Sequence, residues 1–93
     1  MLSINTHSET LLNHGWQWQA LVTHNGQSSS HTITLSWQDH DHWCGGTVSP
    51  SRMVERVVEY CLTRRDEPLP LKFDAARARR WFPEIDREIR QCG

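Results

Sequence analysis

Between Trp16 and Trp37, apolar and polar residues alternate, and the alternation reverses about Asn25-Gly26. Asn-Gly is the preferred centre of a two-residue type I′ turn, because both residues tolerate positive φ. With that pair at the tip, His24 faces Gln27. Trp18 then pairs with Ile33, Trp16 with Leu35 and Ala20 with His31. On the other face Gln17 meets Thr34 and Gln19 meets Thr32. Turn chemistry and alternation agree independently, which predicts a β-hairpin; a one-residue slip would exchange both faces at once. The apolar row Ile33, Leu35, Trp37 runs on into Asp39 and Asp41. Carboxylates extend a buried face only at high cost, so the strand is expected to end near Trp37 or Gln38. The stretch that follows then reads as a strand-to-helix crossing, with Gly45 and Gly46 letting the chain swing round.

The period changes after Ser49, a good N-cap that precedes Pro50 at a first helical position. Met53, Val54, Val57, Val58 and Cys61 form an apolar helical stripe, while Arg52, Glu55, Arg56 and Glu59 point elsewhere. Pro68 and Pro70 limit the next segment to a short edge strand within Leu69–Phe73. Asp74 can cap a helix through Ala75–Trp81, with Phe73 as its hydrophobic staple. Pro83 starts a last short helix, in which Ile85 and Ile89 face inward.

These pieces predict an α+β fold. An antiparallel hairpin is covered on one face by the amphipathic helix, and two short C-terminal helices follow. A two-stranded hairpin is marginal alone. A further strand is expected from Leu2–Ile4, from the Leu69–Phe73 segment, or from a second subunit. The 93 residues make one small domain, 1–93, with residues 1–13 open to flexibility. Such a domain buries about 60–65% of its unfolded surface.

Charge changes the picture by its layout. Residues 1–48 hold three acids (Glu9, Asp39, Asp41) and no Lys or Arg. All ten basic residues lie from Arg52 to Arg90, beside eight acids. The near-neutral total argues against a generally basic nucleic-acid binder. Three cysteines at unrelated spacings make no disulfide framework. Residues 1–12 lack the charged start and apolar run of a signal peptide, and no stretch approaches 18 apolar residues. A cytoplasmic setting, with no membrane partner, is the expectation.

The residues offer candidates for three kinds of recognition. His40, His42 and Cys44, at i, i+2 and i+4, would share a face of an extended chain, and zinc is the metal they suit. The spacing lacks the C-x2-C pattern, and Cys44 would stand roughly 13 Å from His40 on a straight chain. No metal, cofactor or catalytic site is therefore assigned, and no catalytic motif marks an enzyme. Arg64, Arg65, Arg77, Arg79, Arg80 and Trp81 form a candidate nucleic-acid surface through phosphate contacts and stacking. The acids around them make nucleic acid the lesser alternative, with zinc binding third. Gln17 and Gln19 on an uncharged β-prone face, with Trp37 and Trp43 as exposed anchors, point to protein association, a homodimer included.

The segments His31–Trp37, Ser51–Arg65 and Leu71–Ile89 together resemble small bacterial proteins of unknown function, over residues 15–90 or so. That resemblance implies a fold and a bacterial origin, and transfers no activity. The expected role is that of a non-catalytic domain acting through an unidentified protein partner.

Overall fold

In the computed structural model, which describes residues 2–45, 47–64 and 69–91, the chain is α+β. Three ten-residue strands, β1 (Leu2–Leu11), β2 (Gly15–His24) and β3 (Gln27–Ser36), form an antiparallel meander. The predicted hairpin register holds pair for pair, from His24↔Gln27 to Trp16↔Leu35. Asn25 and Gly26 take φ of 54° and 80° at its tip, the left-handed pair that a type I′ turn requires. At the other end Gly15 sits opposite Ser36, and a Cβ on it would run into the Leu35 carbonyl oxygen.

Both sequence candidates for an extra strand are used. Residues 2–11, expected to be open to flexibility, are a full strand against β2. A short strand, β4 (Lys72–Asp74), lies parallel to β3 at the far edge. The sheet order is β1-β2-β3-β4. β4 begins one residue beyond Leu71, whose carbonyl accepts from the Thr32 amide at 2.7 Å. His31, buried in the sheet, secures this segment: its Nδ1 donates to the Pro70 carbonyl at 2.8 Å, which leaves Nε2 to accept from the Ser29 hydroxyl at 2.6 Å.

The crossing expected after β3 is instead a helix, α1 (Trp37–Cys44). Ser36 caps it: its Oγ accepts from the Asp39 amide at 3.0 Å and donates to the Asp39 carboxylate at 2.9 Å. The S-x-x-D spacing is a variant of the capping box. Gly45, at φ 59°, closes the helix, and its amide donates to the Asp41 carbonyl at 2.7 Å. Asp39 therefore begins a helix instead of ending a β row.

The amphipathic helix α2 (Pro50–Arg64) starts where Ser49-Pro50 predicts. Its stripe is buried throughout, with Tyr60 added. Beyond β4, Asp74 caps a 3₁₀ turn (Ala75–Arg77) that runs into α3 (Ala78–Trp81); α4 (Ile85–Gln91) completes the fold. Trp18, Ile33 and Leu35 from the sheet meet Val54, Val57, Val58 and Cys61 from α2, and Ile85 and Ile89 from α4. The core thus lies on one face of the sheet.

Candidate association surface

The other face of the sheet follows from the same alternation. Along β1, β2 and β3 its residues are Ser3, Asn5, His7 and Thr10; Gln17, Gln19, Leu21 and Thr23; and Ser28, Ser30, Thr32 and Thr34. No carboxylate and no Lys or Arg stands among them. Side-chain hydrogen bonds tie the strands together across this face. Thr32 donates to Gln19 at 3.2 Å, Thr23 and Ser28 share a bond of 3.1 Å, and Thr34 donates to Asp74 at 2.7 Å. Leu21 lies exposed in its middle. Where Gly15 has no side chain, the face dips into a hollow of about 510 Å³ bordered by Leu11, Leu12, Thr34, Ser36 and Asp74. Leu11 and Leu12 are exposed at its rim.

Of the four residues expected to form an interaction surface, the structure places Gln17 and Gln19 on this face, both half-buried. Trp37 is exposed, as expected, but it belongs to the helical layer, edge-on to Trp16 at 6.3 Å. Trp43 corrects the expectation outright, being only 2% exposed. Its indole Nε1 donates to Asp86 at 2.6 Å, and the Arg79 guanidinium lies over its ring at 4.8 Å. An aromatic that sequence assigned to the surface is thus a packing centre between α1 and α4, because α1 is a helix and turns that face inward.

The candidate metal ligands are divided by the same helix. Residues two apart on a helix lie about 200° apart around its axis, so His40 and His42 point to opposite sides. His40 donates through Nε2 to the Val48 carbonyl at 2.6 Å and packs edge-on to Trp16 at 5.4 Å. His42 faces Asp86 at 3.8 Å. Cys44, half-buried, gives its thiol to the His40 carbonyl at 3.2 Å. Among the described residues, no three His, Cys, Asp or Glu side chains are grouped to hold a metal ion.

The arginine surface is likewise broken up. Arg79 is a structural clamp: its Nε donates to Asp86 and its Nη1 to Asp39, each at 2.7 Å. Burial opposes the charge on Asp86, but bonds from Arg79 and Trp43 outweigh it and hold the carboxyl below its ordinary value. Arg64 pairs with Glu88 at 3.5 Å and lies 3.8 Å over the Tyr60 ring. Trp81 is half-buried, 5.6 Å from Phe73. Arg77 and Arg80 are exposed and share a shallow depression with Asp74. Arg65 lies outside the described residues.

Sequence reasoning missed the Asp39–Arg79–Asp86–Trp43 cluster. Asp39 and Arg79 are 40 residues apart, and no local spacing signals the contact. It also missed a cleft of about 260 Å³ between α2 and α4, lined by Arg52, Arg56, Tyr60, Thr63 and Arg64. Arg52 there pairs with Glu55 at 3.3 Å and Arg64 with Glu88, so the cleft presents balanced charge and not a cationic field. No helix among the described residues is long and apolar enough to cross a membrane. No family model, curated protein or solved structure matches the chain.

Proposed function

We propose that this chain is a non-catalytic association domain that binds another protein through the outer face of its β1–β3 meander. The observation that carries this reading is the bare outer face. Among the described residues helices cover the four strands on one side only; the other side offers Ser, Thr, Gln and Leu21 with no carboxylate, Lys or Arg on β1–β3, and its charges, Lys72 and Asp74, stand at the β4 edge. Such a face is cheap to desolvate, since the expensive transfer is that of charge. Its hydroxyl and amide groups can trade water for a partner's polar groups. Nucleic acid fits the geometry less well, because Arg64 and Arg79 are committed to carboxylates within the fold. Zinc fits less well still, since the histidines diverge. A bacterial cytoplasm remains the proposed setting, on the cysteine spacing and the sequence resemblance.

The test is capture from lysate of the source cell, comparing the natural chain with a Gln19→Lys, Leu21→Lys double variant. Both side chains lie on the outer face, so the variant keeps its fold by circular dichroism. A protein retained by the natural chain and lost by the variant is the expected outcome. Equal retention by both, or enrichment of nucleic acid in place of a protein, would overturn the proposal.

A further inference from the structure

The outer edge of β1 presents unpaired backbone, and the hairpin determines which residues present it. In a two-residue hairpin the pair flanking the turn, here His24↔Gln27, exchanges both of its N–H···O bonds. Bonded pairs then recur at every second residue. The even-numbered residues of β2 bond to β3, and the odd-numbered ones turn toward β1. Their partners on β1 are Ser3, Asn5 and His7, opposite Thr23, Leu21 and Gln19. The amides and carbonyls of Leu2, Ile4 and Thr6 therefore point away from the sheet. Among the described residues nothing reaches them.

Edges of this kind are ordinarily protected by charge, by proline or by a bulge. The stretch 2–7 contains no Lys, Arg, Asp, Glu or Pro. Protection begins only at Ser8, where φ is 58° and the register with β2 shifts. There Ser8 and Glu9 together stand opposite Trp18, whose indole donates to Glu9 at 3.0 Å. The exposed length is therefore a short, regular segment without charges of its own; on its covered face the Thr6 hydroxyl donates to the Glu55 carboxylate of α2 at 3.0 Å. Its covered-face side chains, Leu2 and Ile4, are half-buried against the core.

We infer that β1 pairs antiparallel with β1 of a second copy about a two-fold axis at Ile4. This rests on the association reading and names one partner for the same sheet. In that register Ile4 meets its own counterpart, Leu2 meets Thr6 of the other copy, and all of them lie at outward-bonding positions. On the outer face Ser3 stands opposite Asn5 of the other copy, with no like charges to oppose the joint. The half-buried Leu2 and Ile4 side chains of both copies close over one another, and two four-stranded sheets become one. A second copy suits this edge because the segment is self-complementary: symmetry repeats each favourable pair.

The register gives a test by light scattering and sedimentation over a range of concentrations. The natural chain is expected to be a dimer. Ser3→Lys with Asn5→Lys places like charges opposite each other twice, and should weaken the dimer by about tenfold. Ser3→Lys with Asn5→Glu places opposite charges in the same pairs, and should hold or tighten it. Both positions are exposed in one copy, so both variants keep the fold. A natural chain that stays monomeric up to submillimolar concentration would overturn the inference, as would a dimer indifferent to both variants. A monomer that still captures a protein in a Gln19-dependent way overturns the dimer and leaves the association reading standing. Loss of both the dimer and the capture overturns the two together.

Discussion

The meander and the helical layer are held together by different physics. From Leu2 to Ser36 the chain uses alternation, one Asn-Gly turn and neighbouring strands, and contains neither Lys nor Arg. Outside α2 and the inward Ile85 and Ile89 of α4, which pack by apolar contact, the helical layer is joined by ion pairs that span the fold. Arg79 of α3 joins Asp39 of α1 to Asp86 of α4, with the Trp43 indole beneath it. The first region is specified by contacts close in sequence. The second is specified by contacts that exist only after the chain has folded. The difference matters for the proposed function, because the outer face of the region without Lys or Arg is the one that the described helices leave uncovered.

The comparison is broken most severely in the meander. Trp18 is 1% exposed, and its indole is bonded to Glu9 across the bulge. Trp18→Ala leaves a cavity and an unpaired carboxylate, with an expected loss of about 3–5 kcal/mol. Urea unfolding should show a lowered midpoint, or no cooperative transition at all in so small a domain.

Arg79→Met tests the helical layer and should cost less. The Arg79 side chain is 30% exposed and that of its partner Asp86 38%, so screening reduces the loss to about 1–2 kcal/mol, below the value for a fully buried pair. Adding Asp86→Asn should recover part of it, giving a measurable coupling energy. The same pair sets the acid limb of stability. Asp86 binds its proton less readily in the folded chain than in the unfolded one. Its contribution is complete above the ordinary carboxylate range, near about pH 4, and is lost as pH falls through the lower folded value. Asp86→Asn should flatten that acid loss in thermal unfolding, whereas an outer-face substitution such as Thr32→Ala should leave it unchanged.

Tyr60→Phe is the smallest effect. Among the described residues no group meets hydrogen-bond geometry with the buried Tyr60 hydroxyl, and burial, followed by the nearby Glu88 carboxylate, holds the phenol above its ordinary value. Removing a buried hydroxyl with no well-formed hydrogen bond should change stability by less than about 1 kcal/mol. The natural chain should also lose stability as pH rises above about 10, since the folded phenol keeps its proton longer than the unfolded one. Thermal unfolding of the Phe variant should lack that alkaline loss.

Much of this fold is legible residue by residue. Asn25-Gly26 with its flanking alternation gives the hairpin and its register. Ser49-Pro50 gives the start of α2, the Met53–Cys61 stripe its buried face, and Asp74 the cap of the 3₁₀ turn. The helix α1 was hidden because its eight residues carry only one buried side chain and a weak apolar pattern. Ser36 and Asp39 carried the signal, but Asp39 also fitted the end of a β row. β4 is parallel to β3, and a parallel pair has no turn to announce it. Of the proposed surface, Gln17 and Gln19 were legible from alternation. Trp43 was not, since a lone aromatic does not reveal which neighbour will bury it.

By itself, the sequence determined the elements whose causes lie within a turn or a strand pair: the hairpin, its two faces, α2 and the inward row of α4. Local sterics and side-chain periodicity act there, and both are written in consecutive residues. Only the tertiary structure decided that His40 and His42 diverge, that Arg79 clamps two helices, and that the described helices leave one sheet face and the β1 edge uncovered. Those outcomes depend on which surfaces the core consumed first. That choice is made by packing among residues tens of positions apart, where no local pattern records it.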